Sequence, residues 1–164
     1  MAPPVPPFRV GLGYDIHPLA AGRPCILGGV LIPSEVGPVG HSDADVLLHA
    51  VADAILGGAG LRDIGHYFPN TDDALKGLDS AMILQKAVAE AKALGWWVGN
   101  VDIVLIAERP KVLAHVPAIR ARVAEVIGID PAQVGVKATT NEGMDAIGQG
   151  KALAVQAVCL LFKP

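Results

Sequence analysis

The stretch that most constrains this chain is residues 41–58, HSDADVLLHAVADAILGG, in which an apolar run carries regularly spaced polar residues. The pattern predicts a helix over residues 43–56. On that helix Asp45, His49 and Asp53 recur every four residues and fall on one stripe. Apolar residues flank the stripe on both sides, so we expect its polar groups to face a cleft or an interface.

The rest of the sequence divides into further strands and helices. Ser42 is the expected N-cap of the first helix, and the first two strands are expected to pair as a hairpin. Residues 57–78, rich in glycine and aspartate, predict a long loop of the kind that is usually functional. Strands are expected at residues 8–17, 24–33, 98–107, 134–140 and 152–162, and helices at 80–94 and from Pro117 to Gly128.

This order of elements predicts an α+β fold, with a mixed β-sheet and helices packed on one side. Residues 9–164 are expected to form a single domain. Residues 1–8 contain four prolines and no charged segment followed by an apolar one, which predicts a flexible leader and excludes a signal peptide.

Composition narrows the function classes. Hydrophobic residues make up 52% of the chain and charged residues only 18%, which predicts that self-association covers part of the surface. A net charge of −3 argues against nucleic acid or an anionic membrane as partner. No uncharged apolar run reaches the roughly 20 residues that span a bilayer, and Cys25 and Cys159 are too few for a disulfide scaffold. We expect a soluble, cytoplasmic protein.

Three histidines point to a metal. Asp15 and His17 are two residues apart on a predicted strand and therefore project from the same face. Together with His49 they form one carboxylate and two imidazoles, the usual makeup of a catalytic zinc site with one open position. The structural alternative, a core histidine bonded to Asp45 or Asp53, is commoner for a lone histidine, and His41 and His17 weigh against it.

Other motifs are weaker. In KATTNEG, Thr139 and Thr140 offer hydroxyls to a phosphate and Glu142 is a hard ligand for magnesium or manganese, although an ordinary strand end explains the motif equally well. AERPKVL, residues 107–113, fits either a base-binding loop or a common connector. GLGYDI begins like a dinucleotide fingerprint, but Ile16 and the lack of a following helix exclude a nicotinamide site.

Taken together and in this order, six motifs resemble the 2-C-methyl-D-erythritol 2,4-cyclodiphosphate synthase family of the non-mevalonate isoprenoid pathway. The motifs are GYDIHPL, GGVLIP, HSDADVLLHAVADAILG, LRDIGHYFPNTD, GNVDIVLIAERPKVL and VKATTNEG. The resemblance covers nearly the whole chain, from Arg9 to Phe162.

The resemblance implies a role for each matching position. Asp15, His17 and His49 match zinc ligands, with one Zn²⁺ per subunit, and Glu142 matches the ligand of Mg²⁺ or Mn²⁺ held with the substrate diphosphate; Asp45 is not a ligand. His41 and Thr140 are the implied catalytic residues. The implied substrate-binding residues are His41, Ser42, Asp63, Ile64, Gly65, Phe68, Asn70, Asp72, Ala107, Pro110, Lys111, Val112, Leu113, Thr139 and Thr140.

The resemblance also implies a reaction and an assembly. The 2-phosphate of 4-diphosphocytidyl-2-C-methyl-D-erythritol 2-phosphate attacks the β-phosphorus and releases CMP, in a homotrimer with sites between subunits. Two other functions use the same ligands: a zinc hydrolase acting on phosphoesters or diphosphates, and a non-catalytic trimer with structural zinc. The second requires a fourth protein ligand, and the sequence offers no convincing one.

Overall fold

The computed structural model describes residues 5–164 of the chain. Its centre is a mixed five-stranded sheet in the order β4-β1-β7-β5-β6. Every neighbouring pair is antiparallel except β5 and β6, which are parallel and joined through a helix. The strands are β1 (Phe8–Ala21), β4 (Val36–Pro38), β5 (Trp97–Ile106), β6 (Val134–Thr139) and β7 (Ala152–Phe162).

Three long helices cover one face of this sheet: α1 (Val46–Ala59), α3 (Ser80–Ala93) and α4 (Val116–Ile127). Helix α1 packs on β1 and β7, α3 packs on α1, and α4 packs on β6. Two short helices, α2 (Ile64–Tyr67) and α5 (Asp145–Gly148), complete the set. The predicted single α+β domain with helices on one side is therefore confirmed. Among the described residues, every helix is too short or too polar to cross a bilayer.

Helix α1 lies unusually close to β1 because two glycines face it. A Cβ atom added at Gly11 would lie 1.8 Å from the carbonyl oxygen of Ala54, and one at Gly13 would lie 1.8 Å from that of Ala50. Both distances are far inside contact range, so only glycine permits this approach. Gly11 and Gly13, which do not form a nucleotide-binding motif, thus set the distance between α1 and the sheet.

The predicted first hairpin is wrong. Strand β1 pairs with β4 and β7, while the hairpin lies entirely inside the second apolar run, between β2 (Cys25–Leu27) and β3 (Val30–Ile32). Gly28 and Gly29 form its two-residue turn with φ of 63° and 73°, a conformation that suits glycine. A pair of glycines inside one short run is the signal for this turn.

The predicted start of the first helix is also wrong. Asp45, rather than Ser42, is the N-cap, so α1 begins three residues later than expected and ends before Gly60 in a left-handed conformation. The Asp45 carboxylate accepts hydrogen bonds from the N–H groups of Leu47 and Leu48 at 3.1 Å. It also accepts from the hairpin turn, at 2.9 Å and 2.6 Å. Asp45 therefore has two structural roles: it caps α1 and it holds the β2–β3 turn.

At the chain's beginning, β1 starts at Phe8, one residue before the expected domain boundary, and pairs there with Phe162. Pro7 accepts a backbone hydrogen bond from Lys163 at 2.9 Å. Residues 1–4 of the expected leader lie outside the described residues.

On strands β1 and β7, the sheet face opposite the helices is largely apolar and exposed. Side chains at every second position of β1 and β7 project from it, as expected for strands. They are Val10, Leu12, Tyr14, Ile16, Val158, Leu160 and Phe162, and all are more than a third exposed. A patch of this kind on an isolated chain indicates an interaction surface.

Candidate metal centre and active site

Strand β1 and helix α1 bring three metal-ligating side chains together. Oδ2 of Asp15 lies 3.0 Å from Nε2 of His17 and 3.0 Å from Nδ1 of His49. The two ring nitrogens are 3.4 Å apart. Among the described residues this trio is the one cluster of histidine, cysteine, aspartate and glutamate that could hold a metal ion. The sequence prediction that these residues share one site therefore agrees with the geometry.

The hydrogen bonds around His17 decide which of its nitrogens faces the cluster as an acceptor. Nδ1 lies 3.0 Å from the carbonyl oxygen of Val39, which can only accept, so Nδ1 carries the proton and donates. The lone pair of a neutral His17 ring then lies on Nε2, towards Asp15. The other carboxylate oxygen of Asp15 accepts from the N–H of Ile16 at 2.9 Å, which leaves Oδ2 for the centre.

The local electrostatics favour a positive charge at this point. Burial alone would raise the pKa of Asp15, but hydrogen bonds and charge from His17 and His49 lower it to about 2. Burial would lower the pKa of His17, yet the hydrogen bond and charge of Asp15 raise it above the usual value. An ionised carboxylate flanked by two imidazoles is thus stabilised by a cation, and a divalent metal is one that all three side chains can ligate.

The polar stripe seen in the sequence separates into three roles. His49 joins the cluster, while Asp45 is fully buried among backbone N–H groups and takes no part in it. Asp53 accepts from the N–H of Ile64 at 2.8 Å and so ties α1 to α2. Burial raises the pKa of Asp53, despite that hydrogen bond.

The larger cavity, of about 470 Å³, opens beside this cluster. Asp15, His17 and His49 lie in its wall, so a metal held there would face the open space. Seven residues expected to bind substrate line it too: His41, Ser42, Asp63, Ile64, Gly65, Phe68 and Asn70. Asp72 lies outside the lining, but its carbonyl oxygen is 2.8 Å from Nε2 of His41 and holds that ring.

A second cavity, of about 190 Å³, lies where β5 and β6 end. These strands are parallel, so the loops that follow them meet at one edge of the sheet. Seven more of the residues expected to bind substrate line this cavity: Ala107, Pro110, Lys111, Val112, Leu113, Thr139 and Thr140. Leu105 and Ala138 complete the walls.

Glu142 is exposed and lies outside the lining of both cavities within the described chain. Its φ of 52° places it in a tight turn, where its N–H donates to Oγ1 of Thr140 at 3.2 Å. The turn thus places the backbone of Glu142 next to the threonine that lines the second cavity.

Sequence reasoning missed two residues near His49: Ser80, which contacts its ring, and Asp43, which contacts Ser80. The patterns gave them no role beyond the starts of the predicted helices 80–94 and 43–56. Ser80 Oγ lies 2.9 Å from Nε2 of His49 and also donates to the Asp43 carboxylate. No local spacing could reveal this, because 31 residues separate Ser80 from His49.

Comparisons with known proteins agree over almost the whole chain. Residues 8–162 match the YgbB family. A 2-C-methyl-D-erythritol 2,4-cyclodiphosphate synthase from Synechococcus sp. (strain JA-2-3B'a(2-13)) is 57% identical over 156 residues, which cover 95% of this chain and 99% of that protein.

Solved structures give the same relationship. The IspF of Plasmodium falciparum in its CDP complex matches with a TM-score of 0.85 at 35% identity, over 98% of this chain and 99% of that one. The bifunctional IspDF from Campylobacter jejuni matches with a TM-score of 0.92 at 36% identity, over 96% of this chain and 42% of that longer one.

Proposed function

The chain belongs to the YgbB family, and since its relatives are 2-C-methyl-D-erythritol 2,4-cyclodiphosphate synthases, we propose that it catalyses this cyclisation. The substrate is 4-diphosphocytidyl-2-C-methyl-D-erythritol 2-phosphate, and the products are the 2,4-cyclodiphosphate and CMP. The observation that carries the proposal is the convergence of Asp15, His17 and His49 on one point in the wall of the larger cavity.

Asp15, His17 and His49 are the proposed zinc ligands, one ion per subunit. Their two nitrogens and one oxygen fit zinc, and the cavity side leaves a position open. Glu142 is the proposed ligand of Mg²⁺ or Mn²⁺ at the substrate diphosphate. When bound, these ions supply the Lewis acidity that offsets repulsion between the two phosphates.

The two cavities suit the two ends of the substrate. We assign the methylerythritol phosphate to the larger cavity, where His41 and Ser42 offer polar groups, and Asp63, Ile64, Gly65, Phe68, Asn70 and Asp72 surround the carbon skeleton. We assign the cytidine end to the smaller one, where the backbone and side chains of 107–113 meet the base. Thr139 and Thr140 then contact the diphosphate, which joins the two ends of the substrate.

The chemistry asks little of the protein beyond positioning. The 2-phosphate is ionised at neutral pH and is itself the nucleophile. One of its oxygens forms a bond to the β-phosphorus, and the bond from that phosphorus to the CMP oxygen breaks, with its electron pair leaving on CMP. His41 and Thr140, as the proposed catalytic residues, hold phosphate oxygens so that attack is in line.

We propose that the enzyme is a homotrimer with active sites at the subunit interfaces. The exposed apolar face of β1 and β7 supports this, because burying it offers a large hydrophobic gain. The low charged fraction of the chain, 18%, supports it as well.

The direct test is incubation with the proposed substrate in ¹⁸O-labelled water, with the product followed by phosphorus NMR and mass spectrometry. We expect a cyclic diphosphate without solvent oxygen. A linear product carrying ¹⁸O would instead identify the zinc hydrolase alternative, and an unchanged substrate with zinc bound would identify a structural role.

A further inference from the structure

Two residues outside the metal cluster, Ser80 and Asp43, control the ring of His49. We infer that they are positioning residues that fix the His49 tautomer, so that Nδ1 is free to ligate a metal. The inference rests on the metal site of the proposed function, but its central claim concerns one ring nitrogen and is measured by zinc affinity and NMR rather than by turnover.

The first step concerns the hydroxyl of Ser80. This side chain is fully buried, so water does not compete for it. Its Oγ contacts Oδ1 of Asp43, and an ionised carboxylate can only accept, so the hydroxyl proton belongs to that contact. The backbone N–H of Ser80 donates to Oδ2 of the same carboxylate at 3.1 Å, which holds the group in place.

The second step follows from the single proton of a hydroxyl. With that proton given to Asp43, the Ser80 oxygen can only accept from Nε2 of His49, 2.9 Å away. Nε2 must then carry a ring proton, so Nδ1 is the nitrogen of His49 that is left to ligate a metal. This is the nitrogen 3.0 Å from Asp15 and 3.4 Å from Nε2 of His17. A carboxylate that orients a metal-ligating histidine is a recurrent arrangement, and here a serine is inserted between the two.

The third step concerns Ser42, whose Oγ also lies 3.1 Å from Nε2 of His49. Within the described contacts its hydroxyl has no carboxylate partner, and the oxygen accepts from the N–H of Ala44 at 3.2 Å. Its proton can therefore point in more than one direction, including into the larger cavity that Ser42 lines. Ser42 is therefore compatible with a proton on Nε2 of His49, whereas Ser80, with its own proton given to Asp43, requires that proton.

Asp43→Asn weakens the acceptor that holds the Ser80 hydroxyl. Both carboxylate oxygens of Asp43 also accept from backbone N–H groups, those of Asp45 and Ser80, so the new NH₂ group must face one of these donors. Ser80→Ala removes the acceptor for Nε2 of His49. Both variants should weaken zinc binding by about 10- to 100-fold, and Ser80→Thr, which keeps the hydroxyl, should restore most of the affinity.

A matched control lies next to Ser80. Asp79 caps helix α3 by accepting from the N–H of Ala81 at 2.8 Å, and its recorded side-chain bond is to that group rather than to His49. Asp79→Asn therefore disturbs the same helix end without touching the ring. Zinc affinity of the full chain is measured by competition with a chelator of known affinity, with circular dichroism as the check of folding.

The ligating nitrogen is identified by long-range ¹H–¹⁵N NMR on histidine-labelled, zinc-loaded protein, because the Asp15 carboxylate can accept from Nδ1 of His49 when no metal lies between them. We expect wild-type His49 to carry its proton on Nε2 and to ligate zinc through Nδ1. A wild-type ring that ligates through Nε2 overturns the inference, as do Ser80→Ala and Asp43→Asn variants that bind zinc as tightly as Asp79→Asn. Equal zinc binding by all these proteins would overturn this inference alone, whereas a wild-type chain that fails to bind zinc would overturn the proposed metal site and this inference with it.

Discussion

Nδ1 of His49 lies 3.0 Å from Oδ2 of Asp15, and this contact joins helix α1 to strand β1 at the wall of the larger cavity. His17 completes the group from the same strand face. Two elements far apart in sequence thus present three ligand atoms to one point, because the glycines of β1 let the helix lie directly on the strand.

The first prediction removes a ligand. His49→Ala leaves only Asp15 and His17, which is too few for a tight zinc site, so bound zinc should fall to near zero and turnover should be lost. The measurement is metal content by mass spectrometry together with the circular dichroism spectrum, which should stay unchanged. His115→Ala, a histidine outside both cavity linings, is the control and should keep its zinc. Full zinc occupancy in His49→Ala would contradict the assignment.

The second prediction tests the close approach of helix and sheet. Gly13→Ala puts a Cβ atom against the carbonyl oxygen of Ala50, so the free energy of unfolding should fall by about 3 kcal/mol or more. Gly57→Ala is the control: its added Cβ would meet nothing nearer than 4.0 Å, and alanine favours the helix by up to about 1 kcal/mol. Urea denaturation of both variants measures the two changes in the free energy of unfolding. Equal effects would show that the contact carries no strain.

Local patterns predicted much of the fold. The apolar run 152–162 predicted β7 with its observed bounds, and the two-residue spacing of Asp15 and His17 placed both on the face that meets His49. The patterns could not predict contacts between residues that are far apart in the sequence. The pattern placed Asp45 on the polar stripe with His49, because the donors that bury its carboxylate lie in the β2–β3 turn, 16 and 17 residues away. The list of expected substrate-binding residues came from the family resemblance, since spacing alone left those motifs ambiguous.

The third prediction concerns the smaller cavity. Ala107 is almost fully buried in its wall, so Ala107→Leu should fill space that the cytidine end is proposed to occupy. We expect affinity for CDP to fall about tenfold or more, with zinc content unchanged, because the metal cluster lies in the other cavity. Calorimetric titration measures this, and Ala118→Leu on the exposed part of α4 is the control. Unaltered CDP affinity in Ala107→Leu would mean that the nucleotide binds outside this cavity.

The fourth prediction is a pH dependence of stability. Burial raises the pKa of Asp45 to about 6, above the ordinary value of 3.8, although the backbone N–H groups of Gly29, Leu48 and Gly28 act to lower it. The native state then binds more protons than the unfolded state between about pH 4 and pH 6. The free energy of unfolding should therefore fall as pH rises through this window and level off above it.

Asp45→Asn, which does not titrate, isolates this contribution. Its denaturation midpoint should change less with pH between 4 and 6 than that of the wild type, even though its absolute stability is lower. Parallel curves for the two proteins would mean that Asp45 stays ionised in the native state throughout that range.

The last prediction tests the apolar sheet face as an assembly surface. Leu12 is 68% exposed on β1, in the middle of that face, and a lysine there would place a charge where a neighbouring subunit is proposed to pack. Leu12→Lys should therefore sediment as a monomer and lose activity, since sites at subunit interfaces would be incomplete. Leu31 is 67% exposed on β3, in the separate hairpin, and Leu31→Lys should leave both properties unchanged. Sedimentation velocity measures the two variants side by side. If Leu12→Lys and wild type sediment alike, the β1 face is not the surface through which subunits meet.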